Sequence, residues 1–331
     1  MKENRELLRV VITVDTRAKG WERLAPGFGE GGSPVLDGCE FFMNPEEPVD
    51  ADYWIVFANA RPRDMMRCAP ENTLFIAGEP ESKKVYPKAF YRQFHRIIDT
   101  HVRSGHPRVT LHAPCMAWHI GFDHNRSEFD FGYTKLKGME SPKTLENKVS
   151  VVCSDAAFTD GQRERLRFLE ELKARLGDKL VHFGRGFRPV NDKLDAILGY
   201  RFHLVMENSR IPHYWTEKIA DAYLGWSFPL YVGSPNLGDY FPEESFVSLD
   251  VNDPVKSAET ISRLLDKPVS DQERVGVAEG RRLVLDVYNP WVAWARWANE
   301  FHVPNATPKS LVIRSHKAFR SLLRGFLFRL K

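Results

Sequence analysis

The sequence predicts an α/β protein built from two doubly wound, parallel-sheet domains. Three observations carry that expectation. The chain has 331 residues, long for one core and suited to two domains of ordinary size. Short β-rich apolar runs alternate with helical patterns, the order that builds parallel sheets. Polar and charged clusters follow several of those runs directly, where open α/β sheets bind ligands.

Residues 1–146 read as the first domain. Leu7 to Val14 has a buried-strand pattern. Glycines at 20, 27, 29, 31, 32 and 38 follow it, but GFGEGG lacks the GxGxxG spacing of a dinucleotide loop and no helical pattern comes next. A mobile loop over a binding cleft is the expectation. Tyr53 to Ala58 and Thr73 to Ala77 read as strands separated by a helix around Arg63 to Cys68, and Tyr86 to Phe94 reads as a helix leading to the strand Arg96 to Asp99. Gly78-Glu79-Pro80-Glu81-Ser82 puts two carboxylates at a strand's carboxyl end, where catalytic groups commonly sit; a solvated acidic turn is the plain alternative. His101, His106, His112, His119 and His124 have no metal-motif spacing, so no metal is expected there. Some of them, with Trp118 or Phe122, are candidates for ligand contact. Phe129 to Asn147 has no periodicity and reads as a linker.

Residues 147–288 read as the second domain. Lys148 to Ser154 restarts a strand, and Phe158 to Leu176 is amphipathic with Leu166, Leu169, Leu172 and Leu176 facing inward. Leu180 to Phe183 is a strand ending in Gly184-Arg185-Gly186-Phe187-Arg188-Pro189, where glycines allow close backbone approach and guanidinium groups can grip phosphate. Arg201 to Met206 is the next strand, with Glu207-Asn208-Ser209 at its end. After Pro212 a helical pattern runs from about Thr216, its apolar face made by Ile219, Ala222, Tyr223 and Trp226. Leu230 to Val232 and Phe246 to Leu249 are strands, and Asp253 to Leu265 and Ser270 to Val287 are helices. Residues 289–308 read as a return helix bridging the domains, with Trp291, Trp294 and Trp297 as packing residues.

Hydrophobic residues make up 43% of the chain and charged ones 27%, as in a soluble globular protein. No apolar run approaches the roughly 18 residues of a membrane span, and MKENRELLRVVITV is too acidic and too short in its apolar part for a signal peptide. A cytoplasmic location is expected. Cys39, Cys68, Cys115 and Cys153 are scattered, which predicts buried thiols rather than zinc or disulfides.

The most informative stretch opens the helix at Thr216. A helix amino terminus offers free backbone N–H groups and partial positive charge, and Lys218 in its first turn opposes the dipole. A Glu-Lys pair on a solvated face is the bland reading. The wider block, ENS-x4-YWTEK-IADAYLGWSFPLYVGSPN-x4-F-x3-SFVSLD, resembles the donor-binding segment of the family-10 glycosyltransferases, the α1,3/4-fucosyltransferases. In them a glutamate-asparagine strand end leads to Tyr-x-Thr-Glu-Lys, a helix, a proline-containing strand and a Ser-Phe strand. The resemblance implies a GT-B architecture, two Rossmann-like domains facing across a cleft, with the sugar nucleotide on the carboxyl domain and the acceptor on the amino domain. It implies inverting transfer of fucose from GDP-fucose to a glycan hydroxyl, with no cofactor and no metal. Gly-Glu-x-Glu-Ser in that family makes Glu79 the catalytic base, with Glu81 second. Lys218 and Arg185 or Arg188 would neutralise the leaving diphosphate; Arg185 is favoured, before the Lys-x-x-x-L stretch that Lys193 to Ile197 resembles. Glu217 would bind ribose hydroxyls or stabilise positive charge on the sugar ring. Tyr214 and Thr216 would line the nucleotide site, and Glu207 and Asn208 would shape it. Lacking the anchor and disulfides of animal members, the chain looks like the bacterial branch, whose expected acceptors are surface polysaccharide or lipopolysaccharide. Two alternatives stand beside this reading: a different nucleotide-sugar donor, or a non-catalytic glycan- or membrane-binding protein on the same fold.

Residues 309–331 hold seven basic residues and no acidic one, against a chain total of +3, so the rest of the chain is net negative. From Phe319 the apolar residues fall on one helical stripe. This predicts a basic amphipathic tail lying on a membrane surface beside a lipid-linked acceptor, attached at the inner face; nucleic acid is not an expected partner.

Overall fold

The computed structural model describes residues 7–14, 20–27, 34–158 and 160–319. The chain divides into two compact units, one made of residues 1–115 and 289–331 and the other of residues 116–288. Both are α/β units with predominantly parallel sheets, the class expected.

The first unit begins with β1 (Leu8–Thr13), β2 (Val35–Leu36), β3 (Cys39–Met43), β4 (Tyr53–Phe57), β5 (Arg63–Cys68), β6 (Thr73–Ile76), α1 (Lys88–Tyr91), β7 (Arg96–Asp99) and β8 (Val109–Leu111). Its seven-stranded sheet runs β2-β3-β1-β4-β6-β7-β8, parallel except for β2. β4 and β6 are buried at every position, as strands covered on both faces must be. Arg63 to Cys68, expected as a helix, is a strand: burial alternates at every second residue, the period of a pleat. The helix expected over Tyr86 to Phe94 shortens to Lys88–Tyr91 after Pro87. Of the glycine-rich stretch expected as a mobile loop, residues 20–27 are packed in place. Trp21 and Leu24 are buried, and their carbonyls accept hydrogen bonds from Trp291 Nε1 (2.7 Å) and Asn289 Nδ2 (2.8 Å). Residues 28–33 lie outside the described residues.

The second unit starts earlier than expected. Residues 116–146, assigned from sequence to the first domain, belong to it. The supposed linker contains β9 (Phe122–Asp123), β10 (Glu128–Phe129) and α2 (Tyr133–Gly138). Leu136 on α2 is fully buried. Then come β11 (Glu146–Val152), α3 (Asp160–Leu176), β12 (Leu180–Phe183), β13 (Tyr200–Met206), α4 (Glu217–Leu224), β14 (Phe228–Val232), β15 (Val247–Ser248), α5 (Pro254–Leu265) and α6 (Asp271–Asp286). α2 is held to the end of α6: Tyr133 Oη donates to Asp286 (3.0 Å), and Lys137 pairs with the same carboxylate. The sheet is wholly parallel in the order β12-β11-β13-β14-β15. Strand order reverses between β11 and β13, so the crevice at their carboxyl ends is the topological switch point.

The chain then returns to the first unit with α7 (Pro290–Phe301) and β16 (Lys309–Arg314). Asn289 caps α7 and Pro290 occupies its first turn. Trp291, Trp294 and Trp297 are buried, as packing residues should be. The segment expected to bridge the domains is therefore part of the first unit. β16 pairs antiparallel with β5, Lys309 opposite Cys68 and Arg314 opposite Arg63. This corrects the expected start of the tail at Lys309: those six residues are a strand, and Phe319 packs near Phe90. The remaining tail, residues 320–331, lies outside the described residues. No helix among the described residues is long and apolar enough to cross a membrane. All four cysteines are free and buried.

Candidate active site

β13 ends with Met206, and the next residue, Glu207, is only 2% exposed. A carboxylate there needs partners, because burial without them costs several kcal/mol. It has them. Oε1 accepts the Thr216 backbone N–H (2.8 Å) and hydroxyl (3.0 Å), and Oε2 accepts the Thr216 hydroxyl (2.8 Å) and Lys218 Nζ (3.2 Å). Thr216 is the N-cap of α4. Glu207 thus ties the end of β13 to the start of α4 and holds Thr216 and Lys218. Burial pushes its carboxyl up, and Lys218 opposes that.

Lys218 Nζ also donates to Thr216 Oγ1 (2.9 Å) and Glu217 Oε1 (3.2 Å). Burial works against the charge of both side chains, yet their attraction prevails. Lys218 is held above the usual lysine range by Glu207 and Glu217. Glu217 is held well below the usual carboxylate range by Lys218, His119 and Lys193. Glu217 therefore stays ionised. Tyr214 is buried two residues before Thr216, and Asn208 is exposed just past Glu207.

Three further residues join this cluster: Asp221, which the sequence did not single out, Lys193, noted only as the start of the Lys-x-x-x-L stretch, and His119, one of the histidines considered for ligand contact. Lys193 Nζ lies 2.9 Å from Asp221 Oδ2 and 3.9 Å from Glu217 Oε1. Asp221, 1% exposed, accepts the backbone N–H groups of His119 (2.9 Å) and Ile120 (3.1 Å) on its other oxygen. His119 Nδ1 stands 3.8 Å from Glu217 Oε1. One signal was available: Asp221 follows Glu217 by four residues, so a second carboxylate shares that side of α4, beside the apolar stripe. Its link to Lys193 spans 28 residues and needed the fold.

The two arginines occupy the loop after β12. Gly184, at φ +131°, closes that loop by donating its N–H to the Arg188 carbonyl (2.8 Å). Both arginines are exposed; Arg185 Nε is 3.7 Å from Asp155, and the Arg188 guanidinium sits 4.9 Å from the Phe183 ring centroid. In the parallel register Val152 pairs with Phe183 and Val151 with Leu204, so β12 and β13 flank β11 and end at the same edge of the sheet. The loop shares the sheet edge with the cluster but does not touch it among the described residues.

Glu79 belongs to the other unit, at the carboxyl end of β6, where its Oε1 pairs with Lys83 Nζ at 2.6 Å. Glu81 pairs with Arg103 at 2.9 Å.

The second unit is thus a doubly wound parallel sheet whose switch-point edge carries a cluster of paired lysines and carboxylates. Residues 145–273 match the family model described as glycosyltransferase family 10 (fucosyltransferase), C-terminal part. The human 4-galactosyl-N-acetylglucosaminide 3-alpha-L-fucosyltransferase FUT6 is 27% identical over 138 residues, 40% of this chain and 37% of the human protein. The Helicobacter pylori alpha-(1,3)-fucosyltransferase FucT is 40% identical over 60 residues, 18% of this chain and 13% of that protein. These matches therefore span well under half the length of the curated relatives. A solved α1,3-fucosyltransferase structure with GDP has a TM-score of 0.46 at 14% identity, covering 93% of this chain and 94% of that one.

Proposed function

We propose that the protein is an inverting glycosyltransferase of GT-B type that moves fucose from GDP-fucose to a hydroxyl of a glycan acceptor. The observation that carries this reading is the Glu207–Thr216–Glu217–Lys218 cluster, assembled at the switch-point edge within the segment that matches the family-10 model. GDP, the leaving group, carries away negative charge, and cationic groups at this edge neutralise it: Lys218 through its nearby charge, with Arg185 or Arg188 from the neighbouring loop. Glu217, held ionised, faces the positive charge that grows on the sugar ring as the bond to the diphosphate stretches. The attacking hydroxyl must lose a proton, and Glu79 is the group to take it. Its carboxylate pairs with Lys83 Nζ at 2.6 Å, so proton transfer to that oxygen requires Lys83 to yield one hydrogen bond. The acceptor is a bacterial surface glycan, lipid-linked, and residues 320–331 hold the enzyme on the inner membrane surface.

A panel of nucleotide sugars tests the reading. GDP-fucose is expected to raise the melting temperature most and to be the one donor turned over. Glu79→Gln should lower transfer by about 10²–10⁴-fold, the usual worth of a positioned base, while leaving GDP affinity unchanged. Preference for another nucleotide sugar would sink the donor assignment, and normal turnover in Glu79→Gln would sink the base.

A further inference from the structure

The two ammonium groups of the cluster differ in what they have left to give. An ammonium has three N–H donors. Lys218 has committed all three, to Glu207 Oε2, Thr216 Oγ1 and Glu217 Oε1. It can reach a phosphate oxygen only by breaking one of those bonds. Lys193 has one hydrogen bond among the described residues, to Asp221 Oδ2 at 2.9 Å. Its next acceptor, Glu217 Oε1 at 3.9 Å, is an ion-pair neighbour beyond hydrogen-bond reach. Two of its N–H groups are therefore available, and the side chain is 21% exposed, enough for a ligand to meet it.

Lys193 is also held in place before any ligand arrives. Asp221, buried on α4, fixes the ammonium with one oxygen and the backbone of residues 119 and 120 with the other. Asp192, the preceding residue, accepts the Gly121 N–H with both oxygens (3.1 and 3.0 Å) and the Leu194 N–H at 2.9 Å, capping the turn on which Lys193 sits. Two carboxylates thus capture three consecutive backbone N–H groups and lock the segment at 119–121 against the Lys193 turn. A cation so fixed loses little freedom on binding, which is what makes a donor effective toward an anion.

We propose that Lys193 is a phosphate-binding residue of the donor site, supplying the ammonium N–H groups that the diphosphate takes up while Lys218 remains bonded to Glu207. This rests on the reading that the second unit holds a sugar nucleotide. The test is calorimetric titration of the full chain with GDP and with guanosine. Lys193→Met should weaken GDP by about 10- to 100-fold, the worth of hydrogen bonds to a charged group, and leave guanosine unchanged. Because Lys193→Met leaves Asp221 buried without its counter-ion, the double variant Lys193→Met/Asp221→Asn is titrated as well. If Lys193 only balances Asp221, the double variant regains wild-type GDP affinity, and the proposal is overturned. If it contacts phosphate, the loss persists in the double variant. A wild-type chain that binds neither GDP, UDP nor ADP overturns the donor-site reading together with this one, whereas wild-type binding with an unimpaired double variant overturns the Lys193 assignment alone.

Discussion

His203 lies inside β13, 5% exposed, with its Nδ1 hydrogen-bonded to Ser150 Oγ on β11 at 2.8 Å. Burial, aided by nearby Lys193, lowers its pKa from 6.5 to about 3, so the folded chain keeps it neutral. The unfolded chain protonates it near pH 6.5. Between those values the unfolded state binds a proton that the folded state does not, so stability is full above about pH 6.5 and falls as pH drops. The expected slope is about 1.4 kcal/mol per pH unit for this one group. Denaturant unfolding of wild type and His203→Gln between pH 4 and 7 should show a steeper fall in wild type; parallel curves would contradict the assignment. At this scale the sequence exposes groups whose partners are near in the chain. Thr216, Glu217 and Lys218 stand together because a helix start gathers consecutive residues at one end of the helix. Lys193 was missed as a site residue, and His119 was not tied to this cluster, because their partners, Asp221 and Glu217, lie on a helix far along the chain.

Elements were legible where period and length agreed. The strands of the second unit fell almost where continuous apolar runs lay, because a parallel strand covered on both faces needs nothing from distant sequence to be recognised. β5 was misread since Arg-Asp-Met-Met-Arg-Cys has two adjacent methionines and no β-branched residue, and its strand form depends on a partner, β16, some 240 residues away. The loop after β12 is an element where glycine is required. At Gly184 a Cβ would stand 2.3 Å from the Cys153 carbonyl oxygen, and the φ of +131° is closed to side chains. Gly184→Ala should destabilise the protein by about 1–3 kcal/mol and displace Arg185 and Arg188 from the sheet edge, weakening GDP while leaving guanosine unaffected. A substitution with neither effect would show that the loop has no part in the site.

At the scale of the whole molecule, the two-unit plan follows from length and alternation, but the partition does not. Residues 116–146 join the second unit through buried Leu136 and the Tyr133–Asp286 bond, neither of which has a periodic signature. Residues 289–314 return to the first through tryptophans whose burial was readable and whose destination was not. That return changes how the tail must be tested. Removing residues from Lys309 onward would strip β16 from β5 and expose buried Ile313, so loss of folding would say nothing about membranes. Removing residues 320–331 alone takes away Arg320, Arg324, Arg329 and Lys331, with no acidic residue among them, and most of the apolar stripe. If that segment lies on a lipid surface, each basic residue near anionic headgroups contributes about 1 kcal/mol. The truncated chain should then leave the membrane fraction and lose binding to vesicles containing anionic lipid. Its turnover on a short soluble acceptor and its melting temperature should match wild type. Unchanged sedimentation with anionic vesicles would rule out the segment as the anchor.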